Sequence, residues 1–281
     1  MNSSVAIADL TAERVVEGVY AVARKRRLRT RSGSPYLALE LVDASGRIEA
    51  RIWNDVELLD GRFEEGGAVR VLGRVERYRD RLQLEVRTLE PEPDADPADY
   101  LPVIRRDADE LEGFLDFLTA EIAHAPLRAT VEAVLGGETR RLLHLLPATP
   151  DGHHGYAGGL LEHTVGVATL ARETAQLHAR LRADLLTAAA LLHDVGRTAE
   201  LRVGPGFRPT DEGRLLGHVH LGLRIVEERH PGLKADVLAE LLHAIASHHD
   251  ARAARTAEAA VLYHVNQLDA VAATRSVGQD A

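Results

Sequence analysis

The amino-acid sequence predicts a two-domain protein, α+β overall, in which a small N-terminal β-barrel is followed by an all-α domain. Three observations lead to this prediction. In residues 1–92, apolar and polar residues alternate with the period of two that is typical of strands. In residues 107–281, apolar residues recur every three to four positions, as on one face of a helix. A proline-rich, acidic stretch at 93–106 separates the two parts, and we interpret it as a linker.

The N-terminal part is expected to contain five short strands. Strand-like runs lie at 15–22, 36–42, 47–53, 68–78 and 82–86, with turn signals such as Asp43-Ala44-Ser45-Gly46 between them. A basic run at 24–31 follows the first strand, and we interpret it either as a solvated loop or as a path for phosphates. Five strands in 92 residues suit a small Greek-key barrel.

The order of the turns, with Gly66-Gly67 before the fourth run, resembles the OB-fold of nucleic-acid-binding modules. The resemblance implies a single-stranded nucleic acid as partner, held by basic side chains and stacked aromatic rings. Trp53, the only tryptophan, ends the alternating run that contains Arg47 and Arg51, so these three side chains are predicted to share one face of the strand. The alternative for Trp53 is a place in the barrel core. The candidate nucleic-acid contacts are Arg27, Arg29, Tyr36, Arg47, Arg51, Trp53 and Tyr78.

The C-terminal part is expected to form seven to nine helices, with the centre of the domain at residues 145–275. Leu111, Leu115, Leu118 and Ile122 show the helical spacing. The formal net charge of −9 belongs to the chain beyond residue 92, because residues 1–92 hold equal numbers of basic and acidic side chains. A uniformly basic nucleic-acid-binding surface is therefore excluded, although a local basic face is not.

All 14 histidines lie in this second part of the chain, beyond residue 123. Several interrupt apolar helical runs, where an imidazole or carboxylate is costly unless it is paired or binds a metal. A single histidine in such a run is more often structural, but an ordered set of five such segments favours a metal site. The chain contains no cysteine, which excludes thiolate metal sites, iron–sulfur clusters, disulfides and a cysteine nucleophile.

The adjacent pair His193-Asp194 is the centre of this set. Neighbours on a helix point about 100° apart, so the pair can contact one site from two directions. A carboxylate has two oxygens, and Asp194 can therefore bridge two metal ions while His193 binds one. Imidazoles and carboxylates together suit Mn, Fe, Co, Zn or Mg and do not suit copper(I).

The order His163, His193-Asp194, Asp269 resembles the signature of the HD-domain metal-dependent phosphohydrolases. An OB-fold joined to such a domain resembles the YhaM type of 3′→5′ exoribonuclease. The resemblance implies a first metal ion held by His163, His193, Asp194 and Asp269, and a second held by Asp194, His218, His248 and His249. It further implies catalytic roles for Asp194, Arg197 and His154 and a substrate contact for His153. Arg197 stands where the family usually has lysine.

These features predict an enzyme that removes nucleoside 5′-monophosphates from the 3′ end of single-stranded RNA, and of single-stranded DNA as a second substrate. Two divalent metal ions are expected, with Mn as the first choice. One alternative is a phosphohydrolase of small nucleotides or cyclic dinucleotides. The other is a non-enzymatic nucleic-acid-binding replication or regulatory factor.

No apolar run approaches the roughly 20 residues that a membrane span needs. The N-terminus also lacks the features of a secretory signal. We therefore expect a cytoplasmic protein without a membrane partner. The alanine-rich helices also suggest a homo-oligomer.

Overall fold

The alternating runs of the N-terminal part form a closed five-stranded barrel in the computed structural model, which describes residues 5–95, 97–101, 103–104, 106–150 and 152–274. The strand order is β1-β2-β3-β5-β4, and antiparallel pairing of β1 with β4 closes the barrel. Only β3 and β5 pair in parallel. The strands are β1 (Val15–Arg29), β2 (Pro35–Asp43), β3 (Gly46–Ile52), β4 (Ala68–Tyr78) and β5 (Arg81–Pro91). The predicted small barrel is confirmed.

Inward-facing residues of the strands fill the barrel. Tyr20, Leu37, Leu41 and Leu84 are fully buried there. Gly73 lies where the β4–β5 pairing shifts register, and a Cβ at this position would come within 2.6 Å of the Glu85 carbonyl oxygen. Only glycine allows the two backbones to approach so closely at this bulge.

Strand β1 extends to Arg29, so most of the basic run at 24–31 is a strand and not a solvated loop. Its pairing with β2 continues from Arg24 opposite Glu40 to Arg29 opposite Pro35. The run has no apolar alternation because both of its faces are largely solvated beyond Lys25. Pairing with the neighbouring strand, and not side-chain pattern, therefore fixes its conformation.

Lys25 connects β1 to the segment that follows α1 (Val56–Asp60), the helix between β3 and β4. Its side chain is only 10% exposed, and Nζ lies 3.0 Å from Asp60 Oδ1. Nζ also donates to the carbonyl oxygens of Asp60 and, at 2.9 Å, Phe63. The ammonium lies 4.5 Å from the centre of the Phe63 ring. One buried cation thus satisfies several acceptors at the barrel wall.

Replacing Lys25 with methionine is expected to lower the free energy of unfolding of the barrel by about 1–3 kcal/mol, because buried acceptors lose their donor. Urea unfolding followed by the fluorescence of Trp53, which lies in the barrel part of the chain, would measure the change. Lys234→Met is the matched control, since Lys234 is the other lysine of the chain and is exposed. An unchanged midpoint in Lys25→Met would contradict the assigned role.

The C-terminal part is helical, as predicted. The described residues contain nine helices here: α2 (Ala108–Ala120), α3 (Ala125–Leu135), α4 (Glu138–Leu143), α5 (Gly159–Leu177), α6 (Ala183–Leu192), α7 (Arg197–Glu200), α8 (Asp211–Arg229), α9 (Ala235–Ser247) and α10 (Ala257–Thr274). Every residue of α6 from Leu185 to Leu192 is buried. A helix that is apolar on all sides lies at the centre of its domain, and α6 packs against α3, α5, α9 and α10.

The chain divides into two compact units whose first boundary in sequence falls between Val103 and Ile104. The segment Val203–Arg208, between α7 and α8, belongs to the barrel unit. Within that unit Phe207 is buried, and a Cβ on Gly206 would lie 2.6 Å from the Ala23 carbonyl oxygen. Within the part of the chain that the structure describes, no helix is both long and apolar enough to traverse a lipid bilayer.

Candidate metal centre

The candidate centre lies where the central helix α6 ends. His193 directly follows α6, and both His193 and Asp194 are buried. The chain then turns through Gly196, where a Cβ would overlap the carbonyl oxygen of His218. Glycine at this position therefore lets α8 approach the end of α6, and His218 is brought against Asp194.

The two carboxylate oxygens of Asp194 face two different pairs of histidines. Oδ1 lies 3.3 Å from His218 Nε2 and 3.5 Å from His248 Nε2. Oδ2 lies 3.8 Å from Nε2 of both His163 and His193. Asp194 therefore has the arrangement that a bridge between two cations requires.

Two of these histidines are fixed by hydrogen bonds to the backbone of their own helices. Nδ1 of His193 donates to the Ala190 carbonyl oxygen at 2.8 Å, and Nδ1 of His248 donates to that of Ile245 at 2.6 Å. A carbonyl oxygen only accepts, so the proton of each neutral ring lies on Nδ1. The lone pair on each Nε2 is then directed at Asp194 and free to bind a metal ion.

His163 is fixed in the same sense by a carboxylate. Its Nδ1 donates to Asp269 Oδ2 at 2.6 Å, while its Nε2 lies 3.2 Å from Nε2 of His193. A carboxylate behind a histidine orients the ring and increases its basicity as a metal ligand. Asp269 also accepts from His154 Nε2 at 2.9 Å. Burial raises the pKa of Asp269, but the hydrogen bonds from His154 and His163 outweigh it and hold that pKa far below its ordinary value.

Three clusters of residues present donor atoms close enough to hold a cation. They are Asp194, His218, His248 and His249; His163, His193 and Asp194; and His154, His163 and Asp269. The first is the predicted second-metal set, and the second is the predicted first-metal set without Asp269. Asp269 is brought to the centre but contacts the Nδ1 side of His163, so its place as a direct ligand stays a prediction.

Unsatisfied polar atoms show that these residues fit divalent cations. Among the described residues, Asp194 Oδ1 and His248 Nε2 are buried without a hydrogen-bond partner. Each such atom costs about 1–3 kcal/mol. His218 Nε2 and His249 Nε2 face each other at 2.9 Å, which is the convergence of nitrogen donors that a shared cation would satisfy.

The ionisation of the centre also suits metal binding. Burial lowers the pKa of His193 well below its ordinary value and that of His249 to about 4, so both rings are neutral at pH 7. Burial would raise the pKa of Asp194, but the charge of Arg197 and the neighbouring imidazoles hold it well below its ordinary value. Neutral imidazoles around an ionised carboxylate are the metal-binding form of this donor set.

Arg197 lies at the edge of the centre, with Nε 3.8 Å from Asp194 Oδ2. Its terminal nitrogen donates to Glu200 at 2.6 Å, a partner that the sequence analysis missed. Burial raises the pKa of Glu200, but a hydrogen bond from His218 and the charge of Arg197 outweigh it and lower the pKa. No pattern in the sequence marks Glu200, because its contacts depend on how α7 and α8 meet.

His154 is oriented by hydrogen bonding to Tyr156 and, through it, to Glu162, two residues that the sequence analysis did not assign to the site. Its Nδ1 lies 2.9 Å from the Tyr156 hydroxyl, which donates to Glu162 at 2.6 Å. Burial and the bond to Glu162 raise the pKa of Tyr156. The backbone of His154 is left-handed, with φ of 48°. Strain of this kind is typical of functional loops.

His153, the predicted substrate contact, lies at the same edge. Its ring centre is 4.8 Å from that of His163. Burial, together with the neighbouring His163 and His154, lowers the pKa of His153 to about 4. Its ring is therefore neutral at pH 7 and available as a hydrogen-bonding group.

The barrel unit carries its own cluster of aromatic and basic residues, in which Trp53 is exposed and Tyr36 and Arg51 are half-buried. The Tyr36 and Trp53 rings are 4.8 Å apart and tilted by 33°, and the Arg51 guanidinium lies 5.9 Å from the Tyr36 ring. Trp53 directly follows β3 and is 42% exposed, so its place is the surface and not the barrel core. Along β3, Arg47 and Arg51 lie on the outward side, as predicted, opposite the buried residues.

The other predicted nucleic-acid contacts of the barrel are more dispersed. Tyr78 is 56% exposed at the end of β4, and Arg79 lies 5.3 Å from its ring. Arg27 forms ion pairs with Glu57 and Asp60, Arg29 donates to the Gly33 carbonyl oxygen, and Arg47 pairs with Glu40 at 3.2 Å. Arg51 is paired as well, with Glu49 at 2.8 Å, but its proximity to the Tyr36 ring makes Arg51, Tyr36 and Trp53 the most compact candidate surface.

Comparison with known families supports the fold assigned to each of the two parts of the chain. Residues 160–271 match the HD domain, and residues 19–92 match an OB-fold nucleic acid binding domain described as tRNA_anti-codon. The chain therefore contains an HD domain preceded by an OB-fold domain, and the predicted class of metal-dependent hydrolase is confirmed.

The chain also resembles individual proteins over most of its length. It is 28% identical over 253 residues to 3′-5′ exoribonuclease YhaM of Geobacillus sp. (strain WCH70), covering 85% of this chain and 77% of that one. It is 28% identical over 250 residues to YhaM of Bacillus subtilis (strain 168), covering 85% and 79%. The second OB-fold domain of replication protein A from Methanococcus maripaludis matches with 20% identity and a TM-score of 0.26, covering 31% of this chain and 93% of that domain.

Proposed function

We propose that this protein is a metal-dependent 3′-5′ exoribonuclease that hydrolyses single-stranded RNA to nucleoside 5′-monophosphates. The observation that carries the proposal is the position of Asp194, whose two oxygens each face a different pair of histidines. The similarity to the YhaM exoribonucleases over 85% of the chain supports the same reaction class.

The proposed ligands divide between two cations. His163, His193, Asp194 and Asp269 would hold the first, and Asp194, His218, His248 and His249 the second. When bound, two divalent ions supply an activated water molecule and offset the charge that develops on a phosphodiester. The all-nitrogen-and-oxygen donor set accepts Mn, Fe, Co, Mg or Zn, and we propose Mn as the physiological ion.

Residues at the edge of the centre would then act on the scissile phosphate. His154 is placed by Tyr156 and Asp269, and we propose that its Nε2–H, which donates to Asp269 in this structure, turns to the leaving 3′ oxygen and gives it the proton. We assign contact with the phosphate to Arg197, whose Nε is buried without a hydrogen-bond partner. His153, beside His163, would contact the terminal nucleotide.

We further propose that the barrel binds the single strand, with single-stranded DNA as a second substrate. Tyr36 and Trp53 offer two ring faces for stacking, and Arg51 adds a positive charge beside them. Arg47, Tyr78, Arg27 and Arg29 would contribute along the strand. A cytoplasmic location and a homo-oligomeric state complete the proposal, and light scattering would test the second.

A time course on 5′-labelled single-stranded RNA with Mn²⁺ tests the proposed activity. A ladder that shortens from the 3′ end, and that is absent without metal, is expected. RNA that remains intact while small nucleotides are hydrolysed would instead establish a small-nucleotide phosphohydrolase. RNA that is bound but never cleaved, with no nucleotide hydrolysis, would indicate a binding factor.

Trp53→Ala is expected to weaken binding of single-stranded RNA by roughly 5- to 150-fold, since one stacked base is worth about 1–3 kcal/mol. Fluorescence anisotropy of a labelled oligonucleotide measures the affinity, and hydrolysis of bis-p-nitrophenyl phosphate shows that the metal centre is intact. Phe114→Ala is the control, because Phe114 in the helical unit has the same exposed fraction, 42%. Unchanged affinity in Trp53→Ala would remove Trp53 from the binding surface.

A further inference from the structure

Helix α8 is interrupted immediately before one of the proposed metal ligands. Gly217 has φ of 70° and ψ of 162°, which is not helical, so His218 begins a second helical piece. The first N–H groups of a helix have no carbonyl partner within it. The N–H of His218 donates instead to the side chain of Glu200, at 3.2 Å from Oε1.

The same carboxylate contacts the ring of His218 and the side chain of Arg197. Oε2 of Glu200 lies 3.6 Å from His218 Nδ1 and accepts from Arg197 at 2.6 Å. Both Glu200 and Arg197 have side chains that are less than 15% exposed, at 14% and 11%. With Nδ1 facing a carboxylate, His218 directs Nε2 at Asp194 Oδ1, 3.3 Å away.

The backbone around Glu200 is itself fixed to the start of α8. Thr210 N donates to the Glu200 carbonyl oxygen at 2.7 Å, and the Thr210 hydroxyl donates to that of Ala199 at 3.0 Å. A Cβ on Gly213 would overlap the Glu200 carbonyl oxygen, so α8 lies directly against it. Glu200 therefore has little freedom to move away from His218.

We propose that Glu200 is a positioning residue that orients His218 as a ligand of the second metal ion and holds Arg197 beside Asp194. Glu200 belongs to none of the clusters of candidate metal ligands, and its carboxylate contacts His218 and Arg197, so it acts through these two side chains. Partners behind metal-bound histidines typically change metal affinity by about 10–100-fold when they are removed. The proposal rests on the proposed two-metal centre but not on the identity of the substrate.

The test is a titration of the full-length protein with Mn²⁺, in which electron paramagnetic resonance measures free Mn²⁺. The wild type is expected to bind two equivalents. Glu200→Ala is expected to bind one equivalent with unchanged affinity and the other, at the site that contains His218, about 10–100-fold more weakly. Glu212→Gln is the control, because Glu212 lies in the first turn of the same helix, pairs with Arg224 and is exposed. It should bind both equivalents as the wild type does.

Two equivalents bound with wild-type affinity by Glu200→Ala would overturn the proposal, and so would a wild type with no second site. Circular dichroism checks the fold of each variant. If Glu200→Ala fails to fold, Glu200→Gln decides, since it keeps the size and removes the charge. Selective weakening of one of the two equivalents supports the proposal, and unchanged affinity for both rejects it. A wild type that binds two equivalents but leaves RNA intact would contradict the exoribonuclease function alone.

Discussion

Replacing Asp194 with alanine is expected to abolish metal-dependent hydrolysis and to reduce bound Mn²⁺ from two equivalents to one at most. Each oxygen of Asp194 faces a different pair of histidines, so one substitution removes a ligand from both proposed ions. Removing a residue that only supports a metal ligand lowers metal affinity or activity by about 10–100-fold. Removing Asp194, which is itself a proposed ligand of both ions, should therefore lower activity by more than about 100-fold.

Metal content after dialysis, together with the RNA time course, measures both consequences of Asp194→Ala. Asp236→Ala is the matched control, since Asp236 is an exposed aspartate in the first turn of α9. It should retain wild-type metal content and activity. Two equivalents of bound metal in Asp194→Ala would show that the bridging position is assigned to the wrong residue.

The residues that the sequence could identify are those with two independent signals. His163, His193 and His248 are polar and lie in apolar helical runs, and all three are fully buried. An uncompensated polar group in such a run has to be paired or to bind a ligand, so sequence alone marks it. The resemblance to the HD family then orders these residues into two proposed sets.

Residues that act through contacts between distant segments could not be identified in this way. Glu200 lies in a four-residue helix, and its role depends on the interruption of α8 at Gly217. Tyr156 lies in a glycine-rich loop, and only the fold brings its hydroxyl to Glu162. Neither residue has a periodic pattern around it that would distinguish it from an ordinary surface residue.

In the barrel, too, contacts between distant segments determine structure that the sequence pattern does not reveal. The basic run after Val22 has no alternation, yet its backbone pairs with β2 as far as Arg29. Charged side chains there find acidic neighbours from other segments, as Arg27 does with Glu57 and Asp60. A run of positive charge in sequence is therefore not a run of unpaired charge in the fold.

The second large effect is expected from adding a single methyl group at Gly166, on α5. A Cβ there would overlap Oδ1 of Asp269 and lie 3.2 Å from its Cγ, so the carboxylate has to move. Oδ2 of the same carboxylate holds His163 Nδ1 and His154 Nε2. Gly166→Ala therefore removes no donor atom but displaces the group that orients both histidines.

Gly166→Ala is expected to lower RNA hydrolysis by about 100-fold, because displacements near 1 Å in an active site have effects of that size. Weaker binding of one Mn²⁺ equivalent, at the site that contains His163, should accompany it in the titration described above. Gly113→Ala on α2 is the control, since its added Cβ would meet no atom within 4 Å.

An exposed helical glycine replaced by alanine gains up to about 1 kcal/mol of stability, so Gly113→Ala should raise the free energy of unfolding and leave activity unchanged. The two substitutions are chemically identical, and helix propensity predicts the same sign for both. A loss of activity in Gly166→Ala but not in Gly113→Ala would therefore isolate the contact with Asp269. Wild-type hydrolysis and metal affinity in Gly166→Ala would show instead that the position of this carboxylate does not control the centre.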